Sequence, residues 1–191
     1  MELWNKNQLN VTLSTRLTLK VAQKIHFIPE SEKLEVFYGE VFLSDLPLGW
    51  MEYGAGFRVS KVQPIKQTWT TENRLMVFAD FTKTIDEFRF TFGNRFEYRN
   101  FSDLSDLFRY KQTFTLQFPN LTGWGIQFYA SEETFFKLND GKMNLARFFS
   151  GLHVLKTEHF RLSVYYGLQK TKVINKWYSS DIIGMNLRYA I

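Results

Sequence analysis

The sequence contains no cysteine. This excludes a disulfide scaffold, zinc sites built from thiolates and catalysis by a thiol. It also lacks any run of about eighteen apolar residues, which a transmembrane helix would need. The first ten residues, MELWNKNQLN, have neither the basic start nor the apolar stretch of a signal peptide, so we expect either a protein that stays inside the cell or a mature form that carries a start methionine. No segment sustains a period of 3.6 residues, so helices are not expected.

Aromatic residues are abundant instead. They make up 18% of the 191 residues, and twenty of them are phenylalanine. The mean hydropathy is nevertheless only -0.26, so apolar residues must be interleaved with polar ones. The net charge is +5, but Lys and Arg are scattered along the chain. A nucleic-acid-binding protein gathers its basic residues on one face, so we expect no nucleic-acid partner.

Apolar and polar residues alternate through most of the chain. In DEFRFTFGNRFEYRNF, residues 86–101, Phe92 and Phe96 fall on one parity, and Arg95 and Glu97 fall on the other. A period of two residues is typical of a β-strand whose two faces meet different surroundings. The pattern predicts ten strands, at 14–28, 34–43, 48–62, 72–83, 87–100, 107–118, 123–137, 143–155, 159–172 and 180–191.

The N-terminal segment is ambiguous. The apolar parity of residues 9–13 continues into 17–19, so this stretch is either one overlong strand or a hairpin that turns at 14–16. A hairpin would give eleven strands and leave the termini at opposite ends of a closed up-and-down barrel. We therefore predict a lead-in, or an extension of the first strand, at 1–12 and a barrel domain at 13–191. The expected strand number is about ten, with twelve as the alternative.

The charged face is predicted to line the interior. A closed barrel of about ten strands has an interior little wider than its side chains, and five bulky apolar residues per strand would overfill it. Tight connectors at one end and longer loops at the other are typical of outer-membrane barrels. The sequence therefore predicts an all-β, antiparallel transmembrane barrel with an ion-paired interior. The predicted inward residues are Glu52, Arg58, Arg74, Asp80, Glu87, Arg89, Arg95, Glu97, Arg99, Arg109, Lys111, Glu133, Arg147, Arg161 and Arg188.

Aromatic residues are predicted to mark both membrane interfaces, where Trp and Tyr are enriched. Trp50 and Trp124 lie beside tight connectors, whereas Trp69, Trp177 and Tyr178 lie in longer ones. We expect outer-membrane lipid as the main partner and a monomeric protein. Contacts with other outer-membrane proteins are expected at the long connectors 63–71, 101–107 and 173–179.

Four short blocks resemble a known family. They are TENRL at 71–75, FGNRFEYR at 92–99, EETFF at 132–136 and NLARFFSGL at 144–152. In type and order they are similar to blocks of a family of Bacteroidota outer-membrane proteins, the domain of unknown function 2490. The resemblance extends over most of the chain. It implies a small β-barrel in the outer membrane of Gram-negative bacteria, and it implies no established activity, substrate or cofactor.

No catalytic constellation is evident. His159 and Ser163 share a face, but they are four residues apart, roughly 13 Å along a strand, which is too far for a hydrogen bond. His153 has Ser150 nearby, on the opposite parity. A triad built across strands is invisible from sequence, so a lipid-directed hydrolase stays an alternative. The acidic residues in the loops are typical of turns, so we expect no metal site and no cofactor.

The inward charges allow two functional interpretations. Positively and negatively charged residues are interleaved among the inward positions. The favoured interpretation is therefore a lumen plugged by mutual salt bridges in a structural or interaction barrel. The alternative is a narrow anion-selective pore. A soluble lipocalin-like barrel, with the rings inside and the charges in water, is the remaining alternative.

Overall fold

The computed structural model describes residues 1–31, 33–63, 69–123, 125–139, 141–174 and 176–191. Its strands are β1 (Glu2–Thr12), β2 (Leu17–Ile28), β3 (Lys33–Leu48), β4 (Met51–Val62), β5 (Thr70–Ile85), β6 (Phe88–Phe101), β7 (Leu107–Asn120), β8 (Gln127–Lys137), β9 (Lys142–Lys156), β10 (Phe160–Val173) and β11 (Lys176–Ala190). The helical content of these ranges is one 3-10 turn at Pro29–Ser31, and no helix in them has the length and hydropathy to cross a membrane.

The eleven strands form a closed barrel, which confirms the predicted fold class. Each strand is antiparallel to its neighbours in the sequence, and the barrel closes where β1 pairs with β11 in parallel, from Glu2 opposite Ile182 to Asn10 opposite Ala190. An odd number of strands requires one such parallel pair, because the first and last strands then run in the same direction.

The expected lead-in at 1–12 is instead a strand of its own, joined to β2 by the turn at 13–16. The backbone N–H of Leu13 donates to the Leu17 carbonyl at 2.9 Å and closes this turn. The turn has four residues, so the apolar parity of β1 carries into β2 unbroken. The sequence pattern therefore contained no phase change to mark the hairpin.

The connectors at the two ends of the barrel differ less in length than expected. We call the end that carries Met1 the N rim and the end that carries Ile191 the C rim. The connectors at the C rim are 13–16, 49–50, 86–87, 121–126 and 157–159, and those at the N rim are 29–32, 63–69, 102–106, 138–141 and 174–175. The prediction of a long connector at 173–179 was wrong, because Lys176–Ser179 belong to β11. β3 also continues to Leu48, past the end predicted for this strand at residue 43.

The two faces of the wall are divided as the alternation predicts. Along β6, Phe92 and Phe96 are exposed on the outer face, and Glu97 is buried in the interior. This arrangement contradicts the lipocalin-like alternative, which requires the rings inside. The interior is not purely charged, however: Trp4, Tyr129, Tyr165 and Ile182 form a buried cluster within it.

Interior glycines make room for large rings. A Cβ atom at Gly56 would lie 2.2 Å from the ring of Phe42, and one at Gly184 would lie 2.1 Å from the ring of Tyr165. Both distances are far shorter than a van der Waals contact. Each ring can therefore lie across the neighbouring strand only because the residue beneath it is a glycine, which has no side chain. Pairs of a glycine and a large ring therefore fill the narrow parts of the interior.

Candidate functional site

Glu97 is the centre of the interior charge network. Its side chain is fully buried (0% exposed), and three arginines from three successive strands surround it. Arg95 Nε donates to Oε1 at 2.8 Å, while Arg109 Nε and Arg74 Nη1 donate to Oε2 at 2.8 and 3.2 Å. A buried carboxylate with this many charge-assisted donors has its lone pairs well satisfied.

Glu72 extends this network toward the N rim. Arg99 holds it with two donors, Nε to Oε1 at 2.7 Å and Nη2 to Oε2 at 3.0 Å. Arg74 also donates from Nε to Glu72 Oε1 at 2.7 Å. Arg74 therefore joins Glu72 to Glu97, and the two carboxylates and their arginines form one connected cluster on β5, β6 and β7.

A second group of ion pairs lies on β1, β3 and β4. Glu40 accepts a hydrogen bond from Arg58 Nε at 3.0 Å and pairs with Lys6 Nζ at 2.9 Å. The Arg58 guanidinium also lies 3.9 Å from the centre of the Tyr38 ring, a cation–π contact. Lys6 reaches Glu40 past the intervening strand β2, so this pair spans part of the interior.

The remaining carboxylates of the network also have cationic partners. Glu133 pairs with Lys111 and lies 3.5 Å from Arg147 Nη1. Glu52 pairs with Lys20. Most of the interior ion pairs connect residues of one strand or of adjacent strands, so they coat the wall more than they cross the barrel.

Space remains inside this coating. One cavity of about 510 Å³ and another of about 310 Å³ lie in the interior. The larger cavity is lined by nine Lys or Arg residues and five Glu residues, so its lining carries an excess of positive charge. The two cavities share five lining residues, which we call the neck: Lys6, Glu40, Arg95, Lys111 and Thr115.

The structure places most of the predicted inward residues in this network. The members with an ion pair are Glu52, Arg58, Arg74, Arg95, Glu97, Arg99, Arg109, Lys111, Glu133 and Arg147. Within the described ranges Asp80, Arg89, Arg161 and Arg188 have no ion pair, although Asp80 lines the smaller cavity. Glu87 lies exposed in the turn at 86–87 and is outside the interior.

Among the described residues, four that form ion pairs in the interior were missed by the sequence reading. Lys6 was overlooked because 1–12 was expected to be a lead-in. Lys20 lies on the polar parity of its strand, and Glu72 shares the parity of Arg74, so the alternation could have identified both. Glu40 lies between Tyr38 and Phe42 on its face, and this mixed pattern gave no clear inward side.

A row of cations without acidic partners lies near the C rim. Arg161 on β10 is directly opposite Lys156 on β9 and Arg188 on β11. Like charges in directly opposed positions destabilise a sheet. The Nε atom of Arg161 is buried and has no hydrogen-bond partner in the part of the chain that the structure describes. This row adds to the positive character of the interior.

His153 and Ser163 meet across strands. They are register partners on β9 and β10, and His153 Nδ1 lies 2.7 Å from Ser163 Oγ. The His153 ring stacks on Tyr129 with centroids 4.7 Å apart, and its Nε2 is buried and has no hydrogen-bond partner in the described ranges. The pair has the serine–histidine contact that a hydrolase needs, but within the described residues no carboxylate orients the imidazole.

We expect Ser163 to be unreactive toward a fluorophosphonate. Only 3% of this residue is exposed, and a histidine without an acidic partner is a weak general base. The measurement is labelling of the folded protein in detergent, compared with the Ser163→Ala variant. Labelling that disappears in the variant would revive the hydrolase alternative.

The predicted interface aromatics lie at the rims. Trp50 is exposed in the turn at 49–50 of the C rim and stacks on Phe81 with centroids 6.2 Å apart. Trp69, Trp177 and Tyr178 are exposed at the N rim, the latter two on β11 instead of in a loop. Trp124 lies outside the described residues.

The N-rim connector at 102–106 is anchored to β6. Tyr98 donates its hydroxyl to Asp106, and Asn100 Nδ2 donates to the same carboxylate at 2.9 Å. These hydrogen bonds hold the pKa of Asp106 below its ordinary value, with the Tyr98 hydroxyl as the main cause. The connector thus stays anchored through an ionised Asp106 at neutral pH.

Sequence comparison assigns a family to this barrel. The family model described as a protein of unknown function (DUF2490) matches residues 1–180. The chain belongs to this family. No curated protein and no solved structure matches the sequence. No relative's activity can therefore be transferred to this DUF2490 barrel, and its function has to be inferred from its own geometry.

Proposed function

We propose that this DUF2490 protein is a monomeric outer-membrane β-barrel of a Gram-negative bacterium, one of the Bacteroidota as the family resemblance implies. Its role is structural or interactive, with an interior coated by ion pairs, a lumen closed at the neck and no catalytic site. The observation that carries this proposal is the inverted distribution of residues: phenylalanine and aliphatic side chains cover the outside, and paired charges line the inside.

The outer surface supports a lipid environment. Val77 on β5 lies opposite Phe96 on β6, Leu75 is two residues from Val77 on the same face, and all three are more than half exposed. Soluble proteins rarely expose contiguous apolar patches of this kind, because contact with water is unfavourable. A closed barrel also satisfies its backbone hydrogen bonds internally, which is the condition for crossing hydrocarbon with strands.

The outer surface also has polar positions that fit an interaction role. On the outer face of β6 and β7, Tyr110 donates to Asn94 Oδ1 at 2.5 Å and accepts from Gln112 at 3.2 Å. Glu132 is exposed nearby on β8, between Phe114 and Phe148. A carboxylate among lipid-facing rings is costly, so we propose this strip, together with the N-rim connectors, as the contact surface for other membrane proteins.

The neck supports a closed lumen. The ion pair between Lys6 and Glu40 spans β2, and Arg95 and Lys111 contribute further long side chains at the same level. A barrel of eleven strands is about 20 Å across between backbones, so such side chains fill most of its section. We therefore expect no stepwise conductance from the wild-type protein in planar bilayers.

A double variant, Lys6→Ala with Arg95→Ala, is expected to open the lumen and produce anion-selective steps. Each affected carboxylate keeps a partner, Arg58 for Glu40 and Arg109 for Glu97, so the barrel should still fold. Arg89→Ala, at the C rim and outside the neck, is the matched control and should stay silent. Regular steps from the wild type would contradict the closed lumen.

A narrow anion pore is the second candidate. Two observations favour it: the excess of positive charge around the larger cavity, and the unpaired cations near the C rim. Both would attract anions into the interior. The same bilayer recordings distinguish the two candidates, because a pore would conduct as the wild-type protein, without any substitution at the neck.

A further inference from the structure

Three possible metal ligands from three adjacent strands meet near the N rim. Glu2 on β1, His26 on β2 and Glu35 on β3 each offer one donor atom, and these atoms all lie within 4.8 Å of one another. All three residues line the larger cavity. The group is separate from the ion-pair clusters around Glu40 and Glu97.

A β-bulge brings Glu35 into this group. The register of β2 and β3 shifts so that His26 is opposite Val36 and Phe27 is opposite Leu34, which leaves Glu35 as the extra residue. Leu34 is exposed on the outer face and Tyr38 is buried inside, so the shift is what turns Glu35 inward. Bulges often re-aim a side chain beside a functional site.

The histidine of the group is fixed in place and has a free nitrogen. His26 is only 8% exposed, and its ring stacks on Trp4 with centroids 4.1 Å apart and planes 10° apart. Its Nε2 is shielded from solvent and has no hydrogen-bond partner among the described residues. A buried imidazole nitrogen without a partner carries an energetic cost unless a ligand occupies it.

The two carboxylates are also exceptional. Neither Glu2 nor Glu35 has an ion pair within 4.0 Å in the described parts of the chain. The other interior glutamates all have one, namely Glu40, Glu52, Glu72, Glu97 and Glu133. Glu2 is held by neutral donors, Trp4 Nε1 at 2.8 Å and Ser180 Oγ at 2.8 Å. Such outer-shell hydrogen bonds are typical of carboxylates that orient toward a metal.

We propose that Glu2, His26 and Glu35 bind a divalent transition-metal ion, with Zn²⁺ as the best match. One imidazole and two carboxylates are ligand types that Zn²⁺ accepts, and two negative charges neutralise the ion. In a tetrahedral site with bonds near 2.0–2.1 Å, donor atoms are about 3.3 Å apart, so small side-chain rotations complete the site. The fourth position then faces the larger cavity and can take water or an anion.

The cationic side chains near this group do not prevent it from binding a metal ion. Lys24 Nζ lies 3.5 Å from the centre of the Trp4 ring, and Arg147 lies over the same ring at 4.8 Å. Both lie over the ring of Trp4, which stacks on His26, and neither pairs with Glu2 or Glu35 within the described residues. Their charge would favour an anion on the open position of the metal.

Binding can be measured by equilibrium dialysis of the full chain, folded in detergent at neutral pH, against Zn²⁺ with metal analysis of the protein. We expect one ion per chain in the wild type. Glu35→Gln and His26→Phe, which keeps a ring stacked on Trp4, should each lower the affinity by at least about 10-fold. Co²⁺ in place of Zn²⁺ should give visible absorption that both variants lose.

Asp80→Asn is the matched control, because Asp80 is an interior carboxylate that also lacks an ion pair within the described chain but lies on β5, outside the group. It should leave the affinity unchanged. A wild type that retains no Zn²⁺ would overturn the proposal. An equal loss in Asp80→Asn and Glu35→Gln would overturn it as well, since binding would then reflect only the overall charge of the lumen.

Discussion

Phe96→Arg is expected to destabilise the folded barrel in lipid vesicles by about 2–4 kcal/mol, the cost of an arginine near the bilayer midplane. Phe96 lies in the central part of β6, 52% exposed on the outer face, and its ring stacks on Tyr110 with centroids 4.8 Å apart. An arginine here would place a charge among acyl chains, where little water is present to solvate it. Denaturant titration in vesicles, followed by tryptophan fluorescence, measures the change.

Ile85→Arg provides the control for depth. Ile85 is the last residue of β5, next to the turn at 86–87 of the C rim, and it is 50% exposed. There the same charge can reach the headgroups, so the expected cost is about 0–1 kcal/mol. If both substitutions change stability by less than about 0.5 kcal/mol, the outer surface faces water and the membrane proposal fails.

Glu97→Gln should cost about 3–5 kcal/mol of unfolding free energy, the range for removing one partner of a buried ion pair. The substitution keeps the size of the side chain but removes the charge that Arg74, Arg95 and Arg109 share. Arg95 and Arg109 would be affected most, because Glu97 is the acidic partner of both in the described residues, whereas Arg74 also pairs with Glu72. The measurement is again denaturant unfolding of the refolded protein.

Glu158→Gln is the comparison for Glu97→Gln. Glu158 is exposed in the connector at 157–159, so its substitution should change the free energy of unfolding by no more than about 0.5 kcal/mol. A Glu97→Gln variant as stable as Glu158→Gln would mean that water reaches the three arginines freely. The interior would then be a solvated channel and not an ion-paired plug.

Along β6 the alternation in the sequence was sufficient to predict which residues face inward. Parity is a local property, so Phe96 on the outside and Arg95 and Glu97 on the inside follow from adjacent letters. The physical cost of reversing the faces is large in lipid, which makes the pattern strict along β6.

Register between strands could not be predicted in the same way. The contact between His153 and Ser163 depends on how β9 and β10 align, and the bulge beside them shifts that alignment by one residue. The partners of Glu97 likewise depend on the alignment of β5, β6 and β7. Nothing in the sequence of one strand specifies its offset from the next, so the residues were predictable and their pairs were not.

The group of Glu2, His26 and Glu35 shows a third limit. Glu2 lies in the segment taken as a lead-in, because a turn with an even number of residues preserves parity. Glu35 lies on the outward parity of its strand until the bulge turns it inward. A local irregularity can therefore bring in a functional side chain at a position where strict alternation predicts the opposite face.

The parallel pairing of β1 with β11 determines where the chain enters and leaves the barrel. A polypeptide fused before Glu2 and one fused after Ala190 would emerge from opposite rims, and so on opposite sides of the bilayer that we propose the barrel spans. The same geometry rules out a short covalent link between the ends, because such a link would have to run the full height of the wall. The pairing of β1 with β11 also joins the two strands that are most distant along the chain, so we infer that it forms last during assembly.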